Sequence, residues 1–258
     1  DEGIHLHWPS AFRRGRWWVG EPRGYQPNKD YEKEVGEVVS FIKNSSAYGK
    51  DSNKEMNQPF AAMQGLFDGS QKLYVYADSE KEIIDGISTA KDNGVKYVVL
   101  VGGYHAYKAT DFLKQHNVAV VVRAPHNLPA FDDDDYDLPY KLPKLLADAG
   151  LVVTIQTRGT VFQTRNLPFY AGQIAGQGLA PEKALQMITS NAAQILGIDE
   201  AYGTLAVGKS ATLFVSEGDA LDMRGNQLTH AFIDGRNISL ETHQTELWKR
   251  YMGKYEGK

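Results

Sequence analysis

The chain has 258 residues, of which 42% are hydrophobic and 23% are charged, and its net charge is −4. This composition is typical of a globular protein with a sizeable core, and a mildly acidic chain offers no basic field for nucleic acid. Cysteine is absent, which excludes a disulfide scaffold, a thiolate zinc site and a cysteine nucleophile.

Hydropathy and the first residues bear on the location of the protein. No apolar run approaches the roughly 18 residues that a membrane span requires. The start lacks an initiator Met and the basic and apolar regions of a signal peptide. We therefore expect a soluble, mature or truncated product. Periplasm and cytoplasm both stay open, and the missing cysteines and the processed start slightly favour the periplasm.

The predicted elements alternate between strand and helix. A strand over residues 3–8 precedes a loop rich in Arg and Trp, a helix over about 30–44 and a polar loop over 48–58. Four continuously apolar runs follow, at residues 73–77, 97–101, 118–122 and 151–155. Helical periodicity is present over 79–93, and a further helix passes through 112–114. Continuously apolar strands separated by helices are typical of a parallel sheet covered on both faces.

Downstream of the last apolar run the pattern changes. Three helices are predicted first, over residues 166–176, 180–188 and 192–196. Two short strands over 211–215 and 230–233 and a final helix over 241–255 complete the chain. The change from long apolar runs to short strands indicates a structurally separate C-terminal part.

The most specific motif lies between Gly178 and Arg236. It reads GLAPEKAL at 178–185, ITSNAAQILG at 188–197, YGTLAVGK at 202–209 and FIDG at 232–235. This series resembles the end of an amidohydrolase-superfamily protein of the imidazolonepropionase-like kind. The resemblance extends from about Tyr74 to Asn237, and Thr212 departs from it, since the family usually has Asp there.

The resemblance implies an α/β fold, namely a partial TIM-type (β/α)8 barrel followed by one segment of a small β-sandwich. The five strand candidates correspond to barrel strands 4 to 8 or so. The expected domains are a partial barrel over 1–200, a sandwich segment over 201–240 and a C-terminal helix over 241–258. An open slice of a barrel would expose sheet edges and apolar surface. We therefore expect the N-terminal part of the same barrel as a partner, from outside this sequence or from another chain in a homo- or hetero-oligomer.

The resemblance also implies one or two divalent metals at the barrel mouth. The family's ligands are a His-x-His pair on strand 1, His residues ending strands 5 and 6, and an Asp ending strand 8. Tyr76, Gly102 and Arg158 occupy the last three of these positions. Gly has no side chain and Arg is a permanent cation. The expectation is therefore no catalytic residue, no metal and no cofactor, with zinc or another divalent metal as the alternative.

His5 and His7 have the spacing of the strand 1 pair, and side chains at i and i+2 of a strand point to the same side. However, only four convincing parallel strands follow them, whereas a true strand 1 needs seven. We place this strand near barrel strand 4. A metal role for His5 and His7 stays open as the alternative.

Other residues near the predicted strand ends are candidates for substrate or anion binding: Arg158, Arg123, His105, His126 and Asp78. Guanidinium groups favour carboxylate or phosphate, although Arg158 could instead form a structural ion pair with Asp78. Lone histidines are often hydrogen-bonded loop residues. The acidic run over 132–135 is expected to be a solvated loop rather than a calcium site. The indoles of the first loop are expected to pack over the barrel mouth, with ligand stacking as the alternative.

Two functions follow as hypotheses. The first is a degenerate amidohydrolase, a pseudoenzyme that binds a ligand or a partner without metal catalysis. The second is an active metal-dependent hydrolase of amide or ring C–N bonds whose ligands come mainly from the missing N-terminal half. The substrate is not predictable from the sequence, because loops set it and the fold does not.

Overall fold

The computed structural model describes residues 2–15, 17–20, 24–53, 55–157, 159 and 161–256. The strands in these ranges are β1 (Gly3–His7), β2 (Phe12–Arg14), β3 (Tyr25–Pro27), β4 (Lys72–Ala77), β5 (Val98–Gly102), β6 (Ala119–Val122), β7 (Val153–Ile155), β8 (Leu213–Ser216), β9 (Leu228–Ile233) and β10 (Arg236–Asn237). The helices are α1 (Tyr31–Lys50), α2 (Gln58–Ala62), α3 (Gln64–Asp68), α4 (Glu80–Asp92), α5 (Thr110–Gln115), α6 (Leu138–Asp148), α7 (Leu167–Gly176), α8 (Pro181–Ile188), α9 (Ser190–Leu196) and α10 (His243–Glu256).

A five-stranded parallel sheet in the order β1-β4-β5-β6-β7 forms the centre of the molecule. Its strands are rich in Val and other apolar residues, which suit a sheet that is buried along its length. A three-stranded antiparallel sheet, β10-β9-β8, follows in the C-terminal part, and β2 and β3 form a separate hairpin. The described part of the chain is therefore an open slice of an α/β barrel with a small sheet appended.

The two faces of the parallel sheet differ. One face packs against helices in the main core, which includes Leu100 and Val120 of the sheet together with Ile83, Ile87 and Leu146 of the helices. The other, which we call the open face, comprises His5, His7, Tyr74, Tyr76, Val99, Val101, Ala119 and Val121. Tyr74, Val99 and Val101 are buried with a residue of α9, whereas both histidines are exposed and the remaining three residues are half-buried.

The helix α4 illustrates how local sequence specifies these elements. Ser79 precedes it and accepts a hydrogen bond from the Glu82 backbone N–H, while the Glu82 carboxylate accepts one from the Ser79 N–H, which is a complete capping box. Ile83, Ile87 and Ala90 recur at helical spacing and are fully buried. Asn93 then caps the C-terminal end, and Gly94 follows with φ of 87°.

The main predictions about the sheet are confirmed. The apolar runs form parallel strands, and β1 lies directly beside β4, which agrees with its placement near barrel strand 4. As expected for an incomplete barrel, β1 lies at an edge of the sheet, and β4, which is paired on both sides, has the half-buried Tyr76 on the open face. The division into three domains stays a prediction.

Several local expectations were wrong. The polar segment 48–58 is not wholly a loop, since α1 continues through Lys50, and the Arg- and Trp-rich loop contains the β2-β3 hairpin. The helix α6 was not predicted, because Pro139 and Pro143 oppose helix formation. Pro139 lies in the first turn, where proline is tolerated. Burial of Leu138, Leu142 and Leu146 on one face offsets the cost of the second proline.

One further expectation concerns membranes. Among the described residues, no helix has both the length and the apolar character that crossing a bilayer would need.

Candidate functional site

A cavity of about 400 Å³ lies where several strands of the parallel sheet end. Its walls come from the segments that follow β1, β4, β5 and β6, and they include Ser10, Asp78, His105 and Arg123. The carboxyl ends of parallel strands meet at one edge of a sheet, which is where α/β barrels place their binding sites. Of the predicted site residues, the structure thus brings Asp78, Gly102, His105 and Arg123 together.

An ion pair between Asp78 and Arg123 occupies the wall of this cavity. The Arg123 Nη2 lies 2.6 Å from Asp78 Oδ2, and the side chains are 59% and 41% exposed. The Tyr104 backbone N–H donates to the other carboxylate oxygen at 3.3 Å. A pair this exposed contributes about 0–1 kcal/mol to stability. The sequence suggested Arg158 as a partner of Asp78, but Arg158 lies outside the described residues.

Gly102 has a backbone conformation that disfavours other residues. Its φ is 95°, and a Cβ atom built there would lie 2.6 Å from Asp78 Oδ1. A histidine at this position would therefore be strained and would displace the neighbouring carboxylate. Tyr76 lies opposite Val101 on the adjacent strand, so Tyr76 and Gly102 are at the same end of the sheet, as expected for equivalent ligand positions.

His5 and His7 lie on the open face and are engaged with tyrosines. The His5 Nδ1 is 2.9 Å from the Tyr76 hydroxyl, and its ring stacks on Tyr74 at 4.8 Å between centroids. The His7 ring stacks on Tyr76 at 4.3 Å. Within the described ranges, no three His, Asp or Glu side chains are grouped as a metal ion requires. The donor set that this chain itself supplies, as far as the structure describes it, does not fit the family's metal centre.

His105 is held in the cavity wall by aromatic and polar contacts. Its side chain is 12% exposed, and its ring stacks on Phe131 with centroids 5.3 Å apart. The Nε2 atom is buried, makes no hydrogen bond, and lies 3.8 Å from Asp134 Oδ1. Burial, and to a lesser degree the Lys108 ammonium, lowers the pKa of His105. The imidazole is therefore neutral at neutral pH.

Asp134 anchors this wall, and the sequence did not indicate it. Its Oδ2 accepts hydrogen bonds from the Tyr104 hydroxyl at 2.7 Å and from the Phe131 backbone N–H at 3.0 Å. Burial raises the pKa of Tyr104 to about 12, so the hydroxyl stays protonated and donates. The acidic run is therefore not wholly a solvated loop: the Asp134 side chain is only 9% exposed. Nothing local distinguishes it from the exposed aspartates on either side.

Two other candidates do not line the cavity. His126 is not part of its lining and meets the Tyr170 ring edge-on at 4.9 Å. Trp8, one of the indoles considered for ligand stacking, is buried in the main core, and its indole N–H donates to the Tyr31 hydroxyl at 2.9 Å, so it packs as a structural residue. The sequence also missed the apolar part of the wall, which includes Phe12, Tyr25, Leu128 and Phe131.

Comparison with known proteins identifies the family. A sequence model of the amidohydrolase family matches residues 77–239, which is more than half of the chain. The chain belongs to the amidohydrolase family. No curated protein sequence matches it.

Solved amidohydrolase structures resemble the fold. An amidohydrolase from Thermotoga maritima MSB8 is 20% identical with a TM-score of 0.70, covering 81% of this chain and 56% of that one. A prolidase complexed with N-methylphosphonate-L-proline is 16% identical with a TM-score of 0.54, covering 93% and 68%. A Xaa-Pro dipeptidase with bound methionine in the active site is 15% identical with a TM-score of 0.55, covering 72% and 50%.

These identities establish the fold alone. The chain spans little more than half the length of the Thermotoga amidohydrolase that it resembles. This agrees with an amidohydrolase barrel of which five parallel strands are present in the described residues.

Proposed function

We propose that this chain is a ligand-binding member of the amidohydrolase family that has lost metal-dependent hydrolysis. One observation carries the proposal: the arrangement of Gly102, Asp78 and Arg123 at the mouth. A residue without a side chain, in a conformation unsuited to histidine, stands at an expected ligand position. A guanidinium also lies 2.6 Å from the nearby carboxylate, and a fixed positive charge repels a divalent cation.

The ligand in this proposal carries an anionic group. Arg123 uses one terminal nitrogen for Asp78, and a guanidinium presents five N–H donors in a planar fork. The rest of the fork is therefore available for a carboxylate or phosphate. Arg158 stays part of the proposal from its sequence position alone. His105 and Asp78 contribute to the wall, whereas His126 would act only through the aromatic side chains around it.

A second candidate is an active metal-dependent hydrolase of amide or ring C–N bonds. The open face favours it, because His5 and His7 both lie there and the remainder of a barrel could bring further ligands opposite them. In that case zinc or another divalent metal would be the cofactor. The finer assignment to the imidazolonepropionase-like kind rests on the motif over 178–236 and stays a proposal.

Elemental analysis of the protein in its full natural length separates the two candidates. The protein is purified without chelators, loaded with zinc, desalted and assayed for metal by mass spectrometry. Loss of metal-dependent hydrolysis predicts metal well below one ion per chain before and after loading. Near-stoichiometric zinc, manganese or iron that resists desalting would contradict our proposal and support the second candidate.

We further propose that the N-terminal part of the same barrel covers the open face. The support is the edge position of β1 and the partly exposed apolar residues of that face, among them Tyr76 and Val121. Soluble proteins rarely leave such an edge and surface uncovered. The covering segment could belong to the same polypeptide or to another chain in a homo- or hetero-oligomer.

A further inference from the structure

We propose that the mouth cavity takes a zwitterion with an apolar side group, such as an apolar α-amino acid or a terminal residue of a peptide. In this arrangement the ligand's carboxylate binds Arg123, its ammonium binds Asp78, and its side group packs on the aromatic wall. The inference rests on the ligand-binding function proposed above and names the class of ligand.

The first observation concerns the charged side chains that line the cavity. Among the described residues that line it, Arg123 is the sole cation, while Asp78 and Glu82 are anions. The negative charge of Glu82 is stabilised within the protein, since its carboxylate accepts hydrogen bonds from the Ser10 hydroxyl and from the backbone N–H groups of Ala11 and Ser79. The ion pair of Arg123 and Asp78 is therefore the charged feature that a ligand meets.

The charge of a matching ligand follows from this ion pair. An anion drawn to Arg123 would also lie beside the Asp78 carboxylate, which is 2.6 Å from the guanidinium, and like charges so close repel each other. An ammonium on the same ligand removes that repulsion. Asp78 Oδ1 can accept it, because its own hydrogen bond from Tyr104 is long, at 3.3 Å. Phosphate or a dicarboxylate can still use the free donors of Arg123, but without an ammonium it should bind more weakly than a zwitterion.

A further observation concerns the apolar wall. Phe12 and Tyr25 line the cavity and are 44% and 47% exposed. The Tyr25 ring contacts Phe131 with centroids 4.8 Å apart, and Phe131 in turn stacks on His105. Exposed aromatic rings beside an ion pair suit a ligand that is charged at one end and apolar at the other. The volume of about 400 Å³ lies within the range of small-molecule sites.

The test is calorimetry on the full-length protein with a matched set of ligands. L-Phenylalanine carries both charges and a ring, 3-phenylpropionate lacks the ammonium, 2-phenylethylamine lacks the carboxylate, and glycine lacks the ring. Phenylalanine should bind at least about tenfold more tightly than each of the others, the factor that about 1.4 kcal/mol represents. Any of the three other compounds binding as tightly as phenylalanine would overturn the inference.

Two variants sharpen the test. Asp78→Asn should weaken the binding of phenylalanine and strengthen that of phenylpropionate, because it removes the negative charge that attracts the ammonium and repels the carboxylate. The exposed Asp133→Asn in the neighbouring loop is the matched control and should change neither. A shift of both ligands in the same direction with Asp78→Asn would contradict the inference.

The outcomes also separate this inference from the function on which it rests. Succinate or phosphate binding without any binding of phenylalanine would leave anion binding intact and overturn the zwitterion. If none of the six compounds binds, both proposals fail. The comparison of ligands on the unaltered protein needs no variant to fold.

Discussion

Asp78 joins three strands at the mouth of the sheet. It follows β4 directly, its backbone carbonyl accepts a hydrogen bond from the His105 N–H at 2.8 Å, and its carboxylate binds Arg123 beyond β6. Gly102 at the end of β5 leaves the space that this carboxylate occupies. A single position without a side chain thus permits the ion pair that defines the cavity.

Gly102→Ala should destabilise the protein more than Gly94→Ala does. Both glycines have positive φ, of 95° and 87°, but a Cβ at Gly94 meets nothing within 4 Å. The control should therefore lose about 1 kcal/mol from backbone strain alone, and Gly102→Ala about 1–3 kcal/mol more from overpacking. Denaturant unfolding measures both. The excess should shrink when Asp78→Ala is added, and equal losses for the two single variants would refute the close contact.

At the scale of elements, the first turn of α4 is hydrogen-bonded to the segment that follows β1. The Glu82 carboxylate completes the capping box and also accepts hydrogen bonds from the Ser10 hydroxyl at 2.9 Å and the Ala11 N–H at 2.8 Å. The residue is only 7% exposed. One carboxylate therefore fixes both the start of a helix and the path of the chain that enters the cavity wall.

Glu82→Ala should cost more stability than Glu80→Ala on the same helix. The first change leaves the N–H of the buried Ala11 without an acceptor, and such a group costs about 1–3 kcal/mol. The second removes an exposed side chain from the first turn, and surface substitutions of this kind usually stay within about 0.5 kcal/mol. The free energies of unfolding in urea give the comparison. Similar losses for both would mean that Glu82 acts only through the charge of the helix terminus.

At the scale of the whole molecule, the two faces of the parallel sheet differ in burial. Val120 points into the main core and is fully buried, whereas the next residue, Val121, lies half-buried on the open face. One step along β6 therefore crosses from a packed interior to a surface that suits a covering segment.

Val120→Lys and Val121→Lys form a matched pair that tests this division. In the 258-residue chain, Val120→Lys should cost about 4 kcal/mol or more because it buries an unpaired charge, and Val121→Lys should cost much less. In the protein of full natural length, Val121→Lys should become comparably disruptive if the N-terminal part of the barrel covers the open face. Thermal unfolding of the four proteins checks this. Tolerance of Val121→Lys in the full-length protein would refute covering of the open face by a segment of the same polypeptide.

Local pattern was enough to predict most of the sheet and much of the helical layer. The runs over 73–77 and 118–122 are continuously apolar, and a strand buried along its length needs that pattern wherever it lies. The helix over 79–93 was predicted because the spacing of its apolar residues is a local signal. The motif over 178–236 specified the family, since a long ordered series of residues rarely arises otherwise. Helix α6 was missed because its two prolines lower the local helix propensity. The helix forms because tertiary packing outweighs that propensity.

The sequence by itself predicted the parallel strands and the family. Only the tertiary structure decided how the side chains of the site are arranged. It paired Asp78 with Arg123, brought the largely buried Asp134 side chain to 3.8 Å from His105, and left the open face partly uncovered. Each of these facts depends on contacts between segments far apart in the chain, whereas periodicity and propensity report only on near neighbours. The side chains that share a cavity are therefore set by how the strands are ordered and aligned.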